Sequence, residues 1–159
     1  MKPKTIVEEY KRRRQARAQQ EKERWISRKA ADEKPYRENL KYRTLKGDYV
    51  RSKSELVLSN LLYSLGIEYT YGPKVILGGQ EREADFFVVS KLDRRRTYYW
   101  EHCGMMDDPE YRRRFGEKME AYRAEGYREG KDLIVTYEDR NSGLDTLEML
   151  TVLTVNRIL

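Results

Sequence analysis

The sequence predicts an α/β domain, a central mixed sheet flanked by helices, preceded by a basic and largely helical extension. Three observations carry this. Apolar residues alternate with period two in several short runs, they recur at helical spacing in others, and the excess positive charge lies at the N-terminal end. Residues 1–49 hold 16 Lys+Arg against 8 Asp+Glu, whereas the remainder holds 17 against 19. A chain of 159 residues suffices for one domain with its own core plus an extension. The expected division is 1–48 for the extension and 49–159 for the domain.

Charged residues are 38% of the chain and the apolar class is also 38%, so part of the chain is expected to stay outside the core. The single cysteine excludes an internal disulfide and a cysteine-based zinc cage, and fits a reducing cytoplasm. No apolar run approaches the ~18 residues of a membrane span. Met1-Lys2-Pro3-Lys4 leads into charge, not into a signal-peptide core. A soluble cytoplasmic protein without a membrane partner is expected.

From Glu8 to about Ala31 the residues are strong helix formers without proline or glycine, and the apolar stripe is weak. This reads as a helix exposed in isolation, ordered by nucleic acid or by a partner chain. The dense cluster Arg12, Arg13, Arg14 and Arg17 suits phosphate contacts, and the bland alternative is a solvated face. Pro35 ends the segment. Tyr36 to Lys46 then interleaves tyrosines with basic residues, as a base-stacking strip or a tether packed on the core would.

Tyr49 to Gly66 reads as an amphipathic helix, with Ser52 or Ser54 as N-cap, Gly66 as stop and an apolar face of Leu58, Leu61, Leu62 and Leu65. Glu55, three residues before Leu58 and seven before Leu62, falls on that stripe. A carboxylate there needs a partner, unless it is simply the glutamate that helix starts favour. Ile67 to Tyr71 is a strand, Gly72-Pro73 a turn, and Lys74 to Leu77 a short apolar piece closed by Gly78-Gly79. Glu83 to Val89 and Thr97 to Cys103 form an antiparallel hairpin across Leu92 to Arg96, which places Asp85 and Glu101 at one end of neighbouring strands. Asp108 as cap, Pro109 at the first position and Gly126 beyond the end mark the next helix. Its apolar stripe is Tyr111, Phe115, Met119 and Tyr122, and Lys118 shares that face, either snorkelling to the edge or pointing into a site. Lys131 to Glu138 is a buried strand and Leu144 to Leu159 a closing helix.

Two converging carboxylates make a hard-cation site or an acid/base pair. The order Glu55, Asp85, Glu101 within an αβββαβ succession resembles the PD-(D/E)XK nuclease superfamily, the restriction-endonuclease-like fold, over about residues 49–140. Arg51-Ser52-Lys53-Ser54-Glu55 looks like its helix motif. Arg82-Glu83-Ala84-Asp85-Phe86 looks like its first acidic segment, with Glu83-Ala84 in place of a preceding proline. Tyr99-Trp100-Glu101-His102-Cys103-Gly104 looks like its second acidic strand. Bacterial and phage-type proteins of this superfamily carry Trp-Glu-His followed by Gly-x-Met-Asp-Asp-Pro-x-Tyr, and here Gly104-Met105-Met106-Asp107-Asp108-Pro109-Glu110-Tyr111 follows.

The resemblance implies a metal-dependent phosphodiesterase acting on DNA in a bacterial or phage-infected cell. Asp85, Glu101 and the His102 backbone carbonyl would hold Mg²⁺ or Mn²⁺, with Glu55 completing the shell through water. Most members place a lysine two residues after the strand glutamate to orient the attacking water, and Cys103 stands there instead. Three repairs follow: Lys118 reaching back from the next helix, His102 as general base, or a dead site. Strand alternation turns His102 away from Glu101 and favours Lys118. Cys103 reads as a small buried residue, and Asp107-Asp108 as loop and cap, not as ligands. Lys53 and Arg112 join the N-terminal arginines as nucleic-acid contacts. The alternatives are an inactive nucleic-acid-binding or assembly module on the same fold, or a partner-binding protein with an N-terminal coiled coil. Nucleases of this fold that cut both strands are often dimers, so a homodimer is one expectation.

Overall fold

In a computed structural model of the chain, the described residues are 40–138, 140, 141 and 143–159, with Glu8, Arg12, Arg13, Gln15, Ala16, Gln19, Gln20 and Glu23. The chain forms two units, Met1–Lys41 and Tyr42–Leu159. In the first, those eight residues are helical and exposed, and the Gln19 amide donates to Glu23 at 3.0 Å. Arg14 and Arg17 lie outside the described residues.

The second unit starts ahead of residue 49 because Tyr42–Arg43 (β1) pairs antiparallel with Tyr49–Val50 (β2). Tyr49 and Val50 are therefore a buried strand and not the first turn of a helix. The helix (α1) runs Lys53–Ser64, with Ser52 as N-cap in a capping box. Glu68–Tyr71 (β3) follows. Lys74–Leu77 (β4) and Gln80–Glu83 (β5) form their own hairpin. Phe86–Val89 (β6) pairs antiparallel with both β3 and Thr97–Cys103 (β7). Pro109–Ala124 (α2), capped by Asp108, crosses over to Leu133–Tyr137 (β8), which runs parallel to β7. Thr146–Val155 (α3) closes the chain, capped by Asp145.

The result is a mixed four-stranded sheet in the order β3-β6-β7-β8, with three helices around it. One face buries Leu58 and Leu62 of α1 and Met149 and Leu153 of α3 against Phe86, Val88, Tyr98, Trp100 and Ile134. The other buries Met119 and Tyr122 of α2 against Leu133, with Val75 and Leu77 of the small hairpin. Strand alternation sorts β7 between these layers: Tyr99 and Glu101 face α2, while Tyr98, Trp100 and His102 face α1 and α3.

The strand expected over Glu83–Val89 is broken at Ala84 and Asp85. Residues up to Glu83 pair with β4, and those from Phe86 pair with β3 and β7. Between them the Gly72 N–H donates to the Asp85 carbonyl at 2.9 Å, and the Ala84 N–H donates to the Pro73 carbonyl at 2.9 Å. Gly72 holds a left-handed φ of 62°, and a Cβ there would come within 3.1 Å of the Glu83 carboxylate. Glycine is thus required where the backbone closes against Asp85.

Candidate functional site

Asp85 sits where the chain passes from β5 to β6, and its Oδ2 accepts the His102 N–H at 2.7 Å. Glu101, 3% exposed on β7, accepts from Lys118 at 2.9 Å on Oε2 and lies 2.7 Å from the same ammonium on Oε1. The Tyr122 hydroxyl donates to Oε1 at 2.7 Å. Lys118 also donates to the Glu83 carbonyl at 2.7 Å. The spacing of Lys118 relative to Phe115 and Tyr122 therefore expresses itself as a side chain pointing into the site and not out to solvent.

Both carboxyls are raised above their ordinary range. Burial and then the neighbouring Asp85 push Glu101 up to about 7, against the pull of Lys118 and Tyr122. Burial likewise raises Asp85, against the His102 N–H and the Lys118 charge, with Glu55 adding to the rise. Counting Glu55, Glu83, Asp85 and Glu101 against Arg51 and Lys118 leaves two negative charges. A site with that deficit, made of carboxylate oxygens, has the donor chemistry of a hard divalent cation.

Among the described residues no three His, Cys, Asp or Glu side chains are grouped to hold a metal ion. A third protein ligand has to come from the backbone. The N–H and C=O of a strand residue point the same way, and the His102 N–H points at Asp85. Cys103, in contrast, bonds β8, its carbonyl accepting the Glu138 N–H at 2.9 Å. The His102 carbonyl therefore faces the side of the sheet on which Asp85 lies. The residues present fit a Mg²⁺ or Mn²⁺ ion.

Glu55 is close enough to Asp85 to act on its charge, but its contacts are those of a helix-start glutamate. It accepts from the Arg51 N–H at 2.9 Å, the Ser52 N–H at 3.2 Å and the Tyr71 hydroxyl at 2.8 Å. All three of these bonds fall on Oε2. Arg51 bridges Tyr71 and the Glu83 carboxylate. Lys53 is exposed on the first turn of α1. Arg112 is exposed on α2 and reaches the Met106 carbonyl at 3.2 Å. Arg12 and Arg13 belong to the other unit.

The His102 ring is not brought to the carboxylates. It lies on the α1 face, Nδ1 2.9 Å from the Thr136 hydroxyl and Nε2 3.1 Å from Glu138. The Trp100 indole donates to the same Thr136 oxygen at 2.8 Å, and Ser54 on α1 donates to Glu138. A general base for a water beside Glu101 cannot act from there. Cys103 is fully buried, and burial followed by the charges of Asp85 and Glu101 raises its thiol far above the ordinary range; it is no nucleophile. Asp108 caps α2 through bonds from the Glu110 and Tyr111 N–H groups at 2.9 and 3.1 Å. Asp107 pairs with Arg140 at 3.0 Å.

Three residues that sequence reasoning did not single out for the site belong beside it. Tyr122 was legible only as an apolar stripe position, although a tyrosine in a core position needs a partner for its hydroxyl. Tyr111, from the same stripe, is pushed up to about 12 by burial and by the charges of Cys103 and Asp85. Glu138 follows directly on the last sheet strand and carried no local signal. Among the described residues no helix is long and apolar enough to cross a membrane.

No family model matches the chain, and no solved structure matches it. Over 100 residues it is 35% identical to an uncharacterized protein of Methanocaldococcus jannaschii. The match covers 58% of this chain and 8% of that relative, so the chain is similar to a small part of a much longer protein.

Proposed function

We propose that the chain is a metal-dependent phosphodiesterase acting on DNA, built on a restriction-endonuclease-like core of the PD-(D/E)XK type. The observation that carries this reading is the Lys118 ammonium on Glu101, beside Asp85, supplying from α2 the positive charge that Cys103 cannot supply from β7.

Asp85, Glu101 and the His102 carbonyl would hold Mg²⁺ or Mn²⁺, and Glu55 lies close enough to reach it through water. The cation would acidify a bound water and offset charge on the phosphate. Tyr122 fixes the orientation of Glu101, and the His102 N–H fixes that of Asp85. Lys118 serves as the group that orients the attacking water. The basic N-terminal unit, with Lys53 and Arg112, adds sequence-independent phosphate contacts. The mixed sheet, the crossover helix carrying the lysine and the acidic groups at one end of β6 and β7 all support this reading.

The test is cleavage of supercoiled plasmid, linear DNA and single-stranded DNA in Mg²⁺, Mn²⁺ or EDTA, with Asp85→Asn alongside. Cutting that needs the cation and is lost in Asp85→Asn bears the assignment out. An undiminished rate in the variant removes it. A second reading, an inactive binding module on the same core, is favoured by the capping-box contacts of Glu55. Salt-sensitive DNA binding without turnover at any cation concentration would select it.

A further inference from the structure

Lys118 is held on Glu101 by more than one contact. An ammonium has three N–H donors. Lys118 donates to Glu101 Oε2 at 2.9 Å and to the Glu83 carbonyl at 2.7 Å, and its nitrogen lies 2.7 Å from Glu101 Oε1 as an ion pair. Seen from the other partner, both oxygens of Glu101 lie on the same ammonium, and Oε1 takes the Tyr122 hydroxyl as well. A cation that binds Glu101 approaches oxygens that both lie against the Lys118 ammonium. It also brings two positive charges within a few ångströms of a third, in surroundings where such repulsion is weakly screened.

The lysine is built to yield. Its side chain is 20% exposed, whereas that of Glu101 is 4% exposed, so the lysine is the less enclosed of the two partners. A four-carbon stem anchored on a helix lets the amine swing without disturbing the sheet. Lysine at position 103 would have no such freedom, because Cys103 lies fully buried on β7.

We propose that Lys118 is the resident counter-cation of Glu101, and that a divalent cation enters the site by displacing it. The exchange frees the amine to orient a water only when the cation is in place. The inference rests on the two-carboxylate reading above and adds an order to it: cation first, lysine second.

The test is Mn²⁺ binding to the full chain, followed by the electron-spin resonance signal of free Mn²⁺, for the natural protein, Lys118→Met, Lys118→Arg and Asp85→Asn. Lys118→Met should bind Mn²⁺ about tenfold more tightly, because no ammonium competes for Glu101. Lys118→Arg should stay near the natural affinity, and Asp85→Asn should lose binding. If the natural protein binds and Lys118→Met binds no more tightly, the inference is overturned while the carboxylate site stands. If neither binds, both fall. Should Lys118→Met fail to fold, amine acetylation of the natural protein read by mass spectrometry decides the matter. Mn²⁺ should speed labelling of Lys118 relative to the exposed Lys131, and an unchanged ratio overturns the proposal.

Discussion

Replacing Glu101 by glutamine should make the protein more stable at alkaline pH while removing one ligand of the proposed cation site. The carboxyl is raised from an ordinary 4.5 to about 7 by burial and by Asp85. The folded state thus favours the protonated form. A folded value above the unfolded one adds stability that is complete below pH 4.5 and lost as the pH rises through 7. Carried through, the shift is worth about 3 kcal/mol between those limits. Glutamine keeps the shape of the neutral form at every pH. It cannot, however, accept Lys118 on both arms, which leaves an ammonium short of a partner. The net gain expected at pH 8 in EDTA is therefore about 1–2 kcal/mol, and near pH 4.5 it should vanish or reverse. Urea titrations at both pH values, followed by the fluorescence of the fully buried Trp100, measure this directly. A variant less stable than the natural protein at pH 8, or a difference independent of pH, would refute the electrostatic account of the site.

Other outcomes follow from the same geometry. Cys103→Lys alone should destabilise the fold, since it sets a second ammonium beside Lys118, and the pair Cys103→Lys with Lys118→Met should not recover cation-dependent cleavage, because a lysine buried on β7 has no room to yield; cleavage by the pair at the natural rate would show that the lysine's origin is immaterial. His102→Gln should keep cleavage within about tenfold, and the pH profile should not lose a limb, because the ring faces Thr136 and Glu138; a loss of about a hundredfold or more would restore it as the general base. Ser52→Ala removes the capping box that also holds Glu55, so thermal unfolding should report a loss of about 1 kcal/mol, with unaltered cation affinity if Glu55 acts only as a cap.

The parts legible in the sequence were those governed by local chemistry. β7 announced itself by a run of β-favouring residues, and α2 by Asp108, Pro109 and Gly126, which take the roles their residue types imply. The offset of Lys118 to Phe115 and Tyr122 placed it on the apolar face and left edge and site both open; its bonds to Glu101 and the Glu83 carbonyl decide between them. Alternation also turned His102 away from Glu101, as the structure has it. What was not legible depended on distant partners. The break at Ala84 and Asp85 is imposed by bonds from Gly72 and to Pro73, which no local pattern foretells. The pairing of Tyr42–Arg43 with Tyr49–Val50 moved the start of the domain and shortened α1. Ser54 and Glu138 meet across 84 positions of sequence, so neither looked like part of a site. Glu55 had two readings from its position alone, and only the Ser52 and Tyr71 contacts distinguish them.

β7 thereby does two jobs with one strand. Its α2 face carries charge: Glu101 is held by Tyr122 and Lys118, which come from one helix, so α2 sets the carboxylate and its counter-charge together. Its opposite face carries none of the reactive groups. There Trp100, Thr136, His102, Glu138 and Ser54 form a hydrogen-bonded chain that ties the ends of β7 and β8 to the start of α1. That chain fixes the backbone of His102, whose N–H holds Asp85. The histidine therefore bears on the site through its main chain, while its ring anchors the strand from behind. A lysine on β7 itself would have to share the buried α2 face with Glu101 and would be locked there. With the lysine on the helix, the strand end carries the small neutral Cys103 and the ammonium reaches Glu101 from a flexible stem.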